Sequence, residues 1–500
     1  MGLTFALGGK AEERVRVPNR PPVCYRLCPC GPWGRLLPSC PLRGGHAEEV
    51  SIDEHPLAYL LHRQGWSATD YLTRLGAVHQ RLGYGPIARD RKRVTRWTRG
   101  GVVPETSAQH AMAVLHGVPE EEITARPWPE WLKLACVHEW WALDAEWNPT
   151  TTIDLLDRVA SGGPMDRRGF LVVTGIAPVL AGAAGAEPAT ASTDGRRIGT
   201  ATPELFERSL AVLRRQDDQL GSGQVHASAR AQLRLITTTL KSTAYTEDVG
   251  RRLYGAAAEA ARVCGWTAYD SGHHAIAEEF YLVALRAAAS SGDQVVTANI
   301  QAFWAIARYS GGDPRGAVAL VADALGRTRG VASPRMDAML YARLARAHAR
   351  AGERRASERA LNAAFDAYDG ARDRSPEEDP DCVYWVNLGE LRSWAASNAT
   401  DLGNPEEALA HYEAIPAAQR AEGYDSQAYP RAVALRLART ARAHIDLDDL
   451  DGAVEAGRRA VEYMGGVSSA RGTSSLTDLR AKLAEHEGVP LVRDFLAQTA

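Results

Sequence analysis

From residue 272 onward a turn residue recurs at Gly272, Gly312, Gly352, Gly403 and Asp448, at intervals of 40, 40, 51 and 45 residues. Counted from each turn, the fifth residue is small every time: Ala277, Ala317, Ser357, Ala408 and Ala453. The twelfth is Ala284, Ala324, Ala364 and Ala460, with Ile415 the exception. Between them stands a larger residue, Tyr281, Val321, Leu361 or Tyr412, and Gly457 departs from that pattern. Small residues seven apart fall on one helix face and let a second helix approach closely. The chain is therefore expected to fold into helical hairpins there. A hairpin alone cannot cover its own apolar face, so neighbours must stack, which predicts a curved solenoid with a concave side.

This packing logic resembles that of the tetratricopeptide repeat, in divergent form, with periods longer than the usual ~34 residues. An armadillo-like or irregular helical stack is the alternative. The groove of such an array implies a protein or peptide partner. Within it, RDRSPEEDPDC at 372–382 reads as a polar loop. Abundant alanine, arginine and leucine with only seven phenylalanines favour helix over strand throughout.

A second constraint lies earlier. Between Pro56 and Gly100 nine Lys/Arg stand against two acids, a net of +7 inside a chain whose total is −3. That imbalance is the footprint expected for a polyanion partner. Leu57, Leu60 and Leu61 share a helix face. Ser67-Ala-Thr-Asp70 offers a capping box for a helix whose apolar side is Tyr71, Leu72, Leu75, Val78 and Leu82. Gly83-Tyr-Gly85-Pro86 breaks the chain, and a third helix is expected from about Ile87 to Thr98. It buries Val94 and Trp97 and turns its cations elsewhere. Arg99-Gly100-Gly101 ends it, and helices follow over Thr106–Leu115 and from Glu120.

The stretch VTRWTRGGVVPE resembles the recognition helix and following turn of Xre-type helix-turn-helix regulators, with Val94 and Trp97 as the core pair, Arg99-Gly100 as the helix end and Pro104 as the start of the next helix. The resemblance covers about seventy residues. It implies Arg91, Lys92 and Arg96 as base readers, with Arg93 and Arg99 nearer phosphates. A guanidinium meets both acceptors of a guanine edge, which fits G·C-rich double-stranded DNA. The turn before the recognition helix, within AVHQRLGYGPIA, is longer than in compact members of that group.

The connecting segments carry weaker signals. Cys24, Cys28, Cys30 and Cys40 lack the paired spacing of a zinc module, and the first fifty residues read as disordered. Trp128, Trp131, Trp140, Trp141 and Trp147 read as core or a dimer contact rather than a base-stacking surface, because the acids among them outnumber the single lysine. Residues 165–191, MDRRGFLVVTGIAPVLAGAAGAEPATA, have the makings of a twin-arginine export signal but stand far from a chain start. They read as a linker, with a short buried helix around Leu171–Leu180 and a flexible tether to Gly199. His274 and Glu278, one turn apart, read as a solvated pair or, alternatively, two metal ligands. No glycine-rich phosphate loop, nucleophile elbow or carboxylate pair points to an enzyme, and no cofactor is expected.

The expected fold is all-α, an N-terminal Xre-like helix-turn-helix bundle followed by a tetratricopeptide-like α-solenoid. Its divisions are 1–50, a disordered segment; 51–127, the DNA-binding bundle; 128–200, a Trp-rich helix and linker; and 201–497, the repeats. The whole layout resembles the NsdA-type negative regulators of sporulation and antibiotic production in streptomycetes. That resemblance implies a repressor of developmental or secondary-metabolite genes. The interior position of the twin-arginine stretch predicts a cytoplasmic chain. No apolar run is of membrane-spanning length, and a homodimer is compatible with the layout. The alternatives are a protein-interaction adaptor that does not bind DNA, and an exported protein translated from Met165.

Overall fold

The computed structural model describes residues 55–499 apart from 64–65, 89, 100, 117, 119, 126, 133–134, 136–144, 162–175, 332 and 373. The cysteine cluster, the paired arginines at 167–168, Trp140 and Trp141 lie outside the described residues. The chain divides into two units, 1–53 and 54–500, and every described residue belongs to the second. The described residues are almost entirely helical.

The first part holds α1 (Pro56–Arg63), α2 (Ala68–Arg81), α3 (Arg91–Arg99), α4 (Thr106–His116) and α5 (Glu120–Ala125). The capping box forms as the sequence implies: the Asp70 amide donates to Ser67 Oγ at 3.2 Å, and the Ser67 amide to Asp70 Oδ2 at 3.1 Å. Leu57, Leu60, Tyr71, Leu72, Leu75, Val94, Trp97 and Met112 form the core. Two details differ from expectation. Leu82 stands past the end of α2 and is exposed. The third helix starts at Arg91, not Ile87, because Pro86 holds the chain extended and Asp90 accepts the Lys92 amide at 3.0 Å to cap it. Trp131, on a short 3₁₀ turn, closes the core and donates from Nε1 to Gln109 Oε1 at 3.1 Å.

Next come α6 (Pro149–Ser161), α7 (Ile176–Ala184), α8 (Ala201–Leu220) and α9 (Ser222–Ser242). The linker expected over 128–200 is, in its described second half, part of the helical stack. Leu155, Leu156, Ile176 and Val179 enter the same core as the later hairpins. The flexible tether is corrected too. Ala189 donates its amide to Ser290 O at 2.7 Å, and β1 (Arg196–Arg197) pairs in parallel with β2 (Thr243–Ala244). Gly195, at φ 88°, makes this possible, since a Cβ there would stand 2.1 Å from Ser242 O. Small residues leave the backbone free to lie against neighbouring backbone, so a composition that suits a tether here suits a seam.

Five hairpins follow: α10 (Glu247–Asp270) with α11 (His274–Ser291), α12 (Gln294–Ser310) with α13 (Pro314–Arg327), α14 (Pro334–Arg350) with α15 (Arg354–Asp369), α16 (Leu388–Asp401) with α17 (Pro405–Ala421), and α18 (Pro430–Asp446) with α19 (Leu450–Met464). Each turn contains the residue on which the sequence register is set. Gly272, Gly312, Gly352, Gly403 and Asp448 all have positive φ, and Asp448 is the one non-glycine to do so among the described residues. In three hairpins a capping side chain follows at once, Asp313, Asn404 or Asp449. The small residues of the seam are buried, and Leu361 is only half-buried. At Gly457 a Cβ would meet the Phe495 ring at 3.1 Å. The aromatic bulk that Tyr281 and Tyr412 supply within their own hairpins arrives there from α21 (Pro490–Gln498), which with α20 (Ala470–Ala484) caps the stack.

The 51-residue interval contains an insert, residues 371–387, with two 3₁₀ turns. It covers the segment expected to be a polar loop. Two of its acids are pinned, Asp379 to Arg335 at 2.7 Å and Asp381 to Arg214 and Arg215 of α8. α8 also reaches α18, and the backbone at Leu220 and Gly223 bonds to Ser468 beyond the last hairpin. The start and the end of the stack thereby meet.

Candidate nucleic-acid interface and interhelical cavity

Helix α3 has a narrow apolar seat. Val94 and Trp97, three apart, are buried, which forces the intervening positions outward. Arg91, Lys92, Arg96 and Arg99 are exposed, and Arg93 is half-buried. Arg93 stacks its guanidinium 5.4 Å from the Trp97 ring centroid and pairs with Glu105 at the approach to α4. Arg96 stands 3.9 Å from Asp90, an exposed and weak pairing. Among the described residues Arg91, Lys92 and Arg99 make no ion pair. Of the five predicted site residues, four therefore share the open surface, while Arg93 joins α3 to the start of α4.

The turn between α2 and α3 is long but held. His79 Nδ1 lies 2.8 Å from Gly85 O, so it carries the proton and donates, leaving Nε2 to accept from Ser107 Oγ at 3.1 Å. Tyr84 Oη and His110 Nδ1, 2.9 Å apart, add a second tie to α4. Deeper in the bundle His116 stacks on Tyr71, and burial pushes its imidazole down to about 4, so it stays neutral.

Between α8 and the hairpins lies a cavity of about 220 Å³. Its walls combine nine aromatic side chains with seven arginines and three carboxylates. Most of the arginines belong to a buried charge lattice. Glu259 accepts from Arg262 at 2.7 and 2.9 Å and from Arg214 at 2.8 Å. Burial opposes its charge, but the two guanidiniums prevail and hold its carboxyl at about 2. Asp217 accepts from Arg431, Trp266 Nε1 and Ser222 Oγ at 2.7, 2.8 and 2.6 Å. Asp270 is shared by Arg471 at 2.9 Å and Arg431 at 3.4 Å. Arg346 pairs with Asp401. Asp218, beside them, is pushed up to about 6 by burial despite the Tyr384 hydroxyl and Arg431.

These cavity residues carry little advance signal. Glu259 and Arg262 sit in the alanine run GAAAEAARVC, where an i,i+3 ion pair is legible, but nothing local says that its outer partner is Arg214, 45 residues earlier. The His274–Glu278 pairing is corrected. Glu278 is buried, accepts from Trp304 Nε1 at 2.7 Å and stands 3.5 Å from Arg308, while His274 packs edge-on to Tyr269. Among the described residues no cluster of three or more metal-capable side chains forms, and no helix is long and apolar enough to cross a membrane. No family model matches the chain, and no curated protein matches it.

Proposed function

We propose that this protein is a DNA-binding transcriptional regulator in which α2, the long turn and α3 act as an Xre-type helix-turn-helix, and the hairpin stack acts as a tetratricopeptide-like array that senses a partner or ligand. The supporting observation is the placement of Arg91, Lys92, Arg96 and Arg99 on the solvent side of a helix seated by Val94 and Trp97. A short cationic helix presented this way suits the major groove, where Arg91, Lys92 and Arg96 reach base edges and Arg99 reaches phosphate. Arg93 takes a different part, since its pairing with Glu105 fixes the angle between α3 and α4. The likeness to NsdA-type proteins extends the proposal to repression of development and antibiotic production in the cytoplasm.

Two features weigh against the other readings. An adaptor has no use for a net charge of +7 concentrated on a segment whose apolar side is already satisfied. An exported product starting at Met165 would lack α6, whose Leu155 and Leu156 are buried in the core shared with the hairpins.

The test is genome-wide binding followed by mobility shift on the recovered fragments, comparing the native chain with Arg91→Ala/Arg96→Ala. The native chain should select discrete sites, and each lost base reader should cost about 1–3 kcal/mol of discrimination. Equal binding by both proteins, or none by either, refutes the assignment.

A further inference from the structure

Five of the seven cavity arginines are paired with carboxylates, and two are left over. Among the described residues neither Arg343 of α14 nor Arg439 of α18 makes an ion pair. Arg343 is 7% exposed, and its Nε has no acceptor. Its guanidinium lies 4.6 Å from the Trp394 ring centroid and 5.6 Å from that of Trp385. Arg439 reaches Ser397 Oγ, at 3.4 Å. Tyr309, on the same cavity wall, hydrogen-bonds Arg343 and acts electrostatically on Arg439. Burial pushes the Glu390 carboxyl up, while Arg436 first and then both of these arginines act on it electrostatically. It makes no ion pair among the described residues.

A buried cation without an anion is costly, and packing alone would be better served by an apolar residue at either position. Burial accordingly lowers the pKa of both guanidiniums. Aromatic faces stabilise such cations only in part. An anion is what the arrangement lacks. The rings beside it, Trp385 and Trp394, are aromatic, which favours a single carboxylate on an apolar body over a heavily hydrated phosphate. The volume, below the ~300–1,000 Å³ of drug-sized sites, admits a compact molecule rather than a helix.

We propose that the interhelical cavity binds a small organic carboxylate with an aromatic or apolar body, its carboxylate between Arg343 and Arg439 and its body against Trp385 and Trp394. This rests on reading the array as the sensing half of the regulator, and it names the chemistry sensed. A free metabolite or the C-terminal residue of a short peptide presents the same group.

The experiment is calorimetric titration of the full chain with 4-phenylbutyrate and with its neutral amide, and in parallel with Ala-Phe carrying a free or amidated C-terminus. At least one acid should bind saturably, one per chain, and its amide at least tenfold more weakly. Whichever acid binds tighter identifies the source. Arg343→Gln and Arg439→Gln should each weaken the acid at least tenfold and leave the amide unchanged. Their thermal midpoints should stay level or rise, because each removes an uncompensated buried charge. Equal binding of acid and amide, no binding by any probe, or native-like affinity in both variants overturns the assignment. Mobility shift on the same preparations separates the two proposals. A chain that binds carboxylate but no DNA sinks the regulator and keeps the cavity, and the converse sinks the cavity alone.

Discussion

The Arg431 guanidinium on α18 lies 2.7 Å from the Asp217 carboxylate on α8, across 214 residues of chain. Both side chains are almost fully buried, and Arg431 also reaches Asp270 of α10 at 3.4 Å. One cation thus joins the last hairpin to the first and to α8, two helices before it. Arg431→Ala leaves two carboxylates in a dry interior and should cost about 3–5 kcal/mol, read as a fall in the urea midpoint. Arg431→Lys should recover only part of this, because an ammonium lacks the planar fork that spans two acids. A midpoint unchanged in the alanine variant would show that the closure contributes nothing.

Glu278 sets a pH dependence. Burial pushes its carboxyl up to about 7, against Arg308 and the Trp304 indole. A carboxyl that holds its proton more tightly folded than unfolded favours the fold at low pH. That contribution is lost as pH rises from the ordinary value of 4.5 to about 7. Glu278→Gln keeps an acceptor for Trp304 and removes the titration. Between pH 4.5 and 7 the native chain should therefore lose stability relative to the variant. Glu279, pushed up to about 7 by burial against Arg158, titrates in both proteins and cancels. Parallel pH profiles would mean that Glu278 is ionised throughout.

Phe495 and Gly457 form a complementary pair, and each half should be intolerant alone. Phe495→Ala opens a void over the glycine and should cost about 3–5 kcal/mol. Gly457→Ala drives a methyl into the ring, against a helix-propensity gain of about 1 kcal/mol, and should still destabilise. Combined, the two should cost less than their sum, since the methyl enters the space that the ring vacates. Simple additivity in thermal melts would disprove the contact.

His79 is the tie that makes the long turn usable. His79→Ala strands the half-buried Gly85 carbonyl and Ser107 hydroxyl, at about 1 kcal/mol, the low end because water still reaches them. Because α3 begins just after that turn, DNA affinity should fall as well, although no cation is altered. Native affinity in a destabilised variant would separate the turn from the presentation of α3.

The sequence spoke clearly wherever a local rule governs. The residue at each hairpin turn, the seam of small residues, the capping box at Ser67 and the seat formed by Val94 and Trp97 all follow from helix periodicity and backbone sterics. It was mute where partners are remote. Arg431 and Asp217 look like ordinary surface charges until 214 residues of chain bring them together, and Arg343 gives no hint that its acids are elsewhere. Residues 185–199 misled for a different reason. Small side chains permit a mobile linker and close backbone packing equally, and only the neighbours decide between them.

The meeting of α8 with α18 also restricts how such a chain can change over generations. An open row of hairpins gains or sheds a member at its tip with little consequence. Here an added or deleted member would carry Arg431 away from Asp217 and Asp270 together, so the tally is locked by geometry. Variation is then confined to substitution inside each member and to growth of the loops between them, of which residues 371–387 are the visible instance.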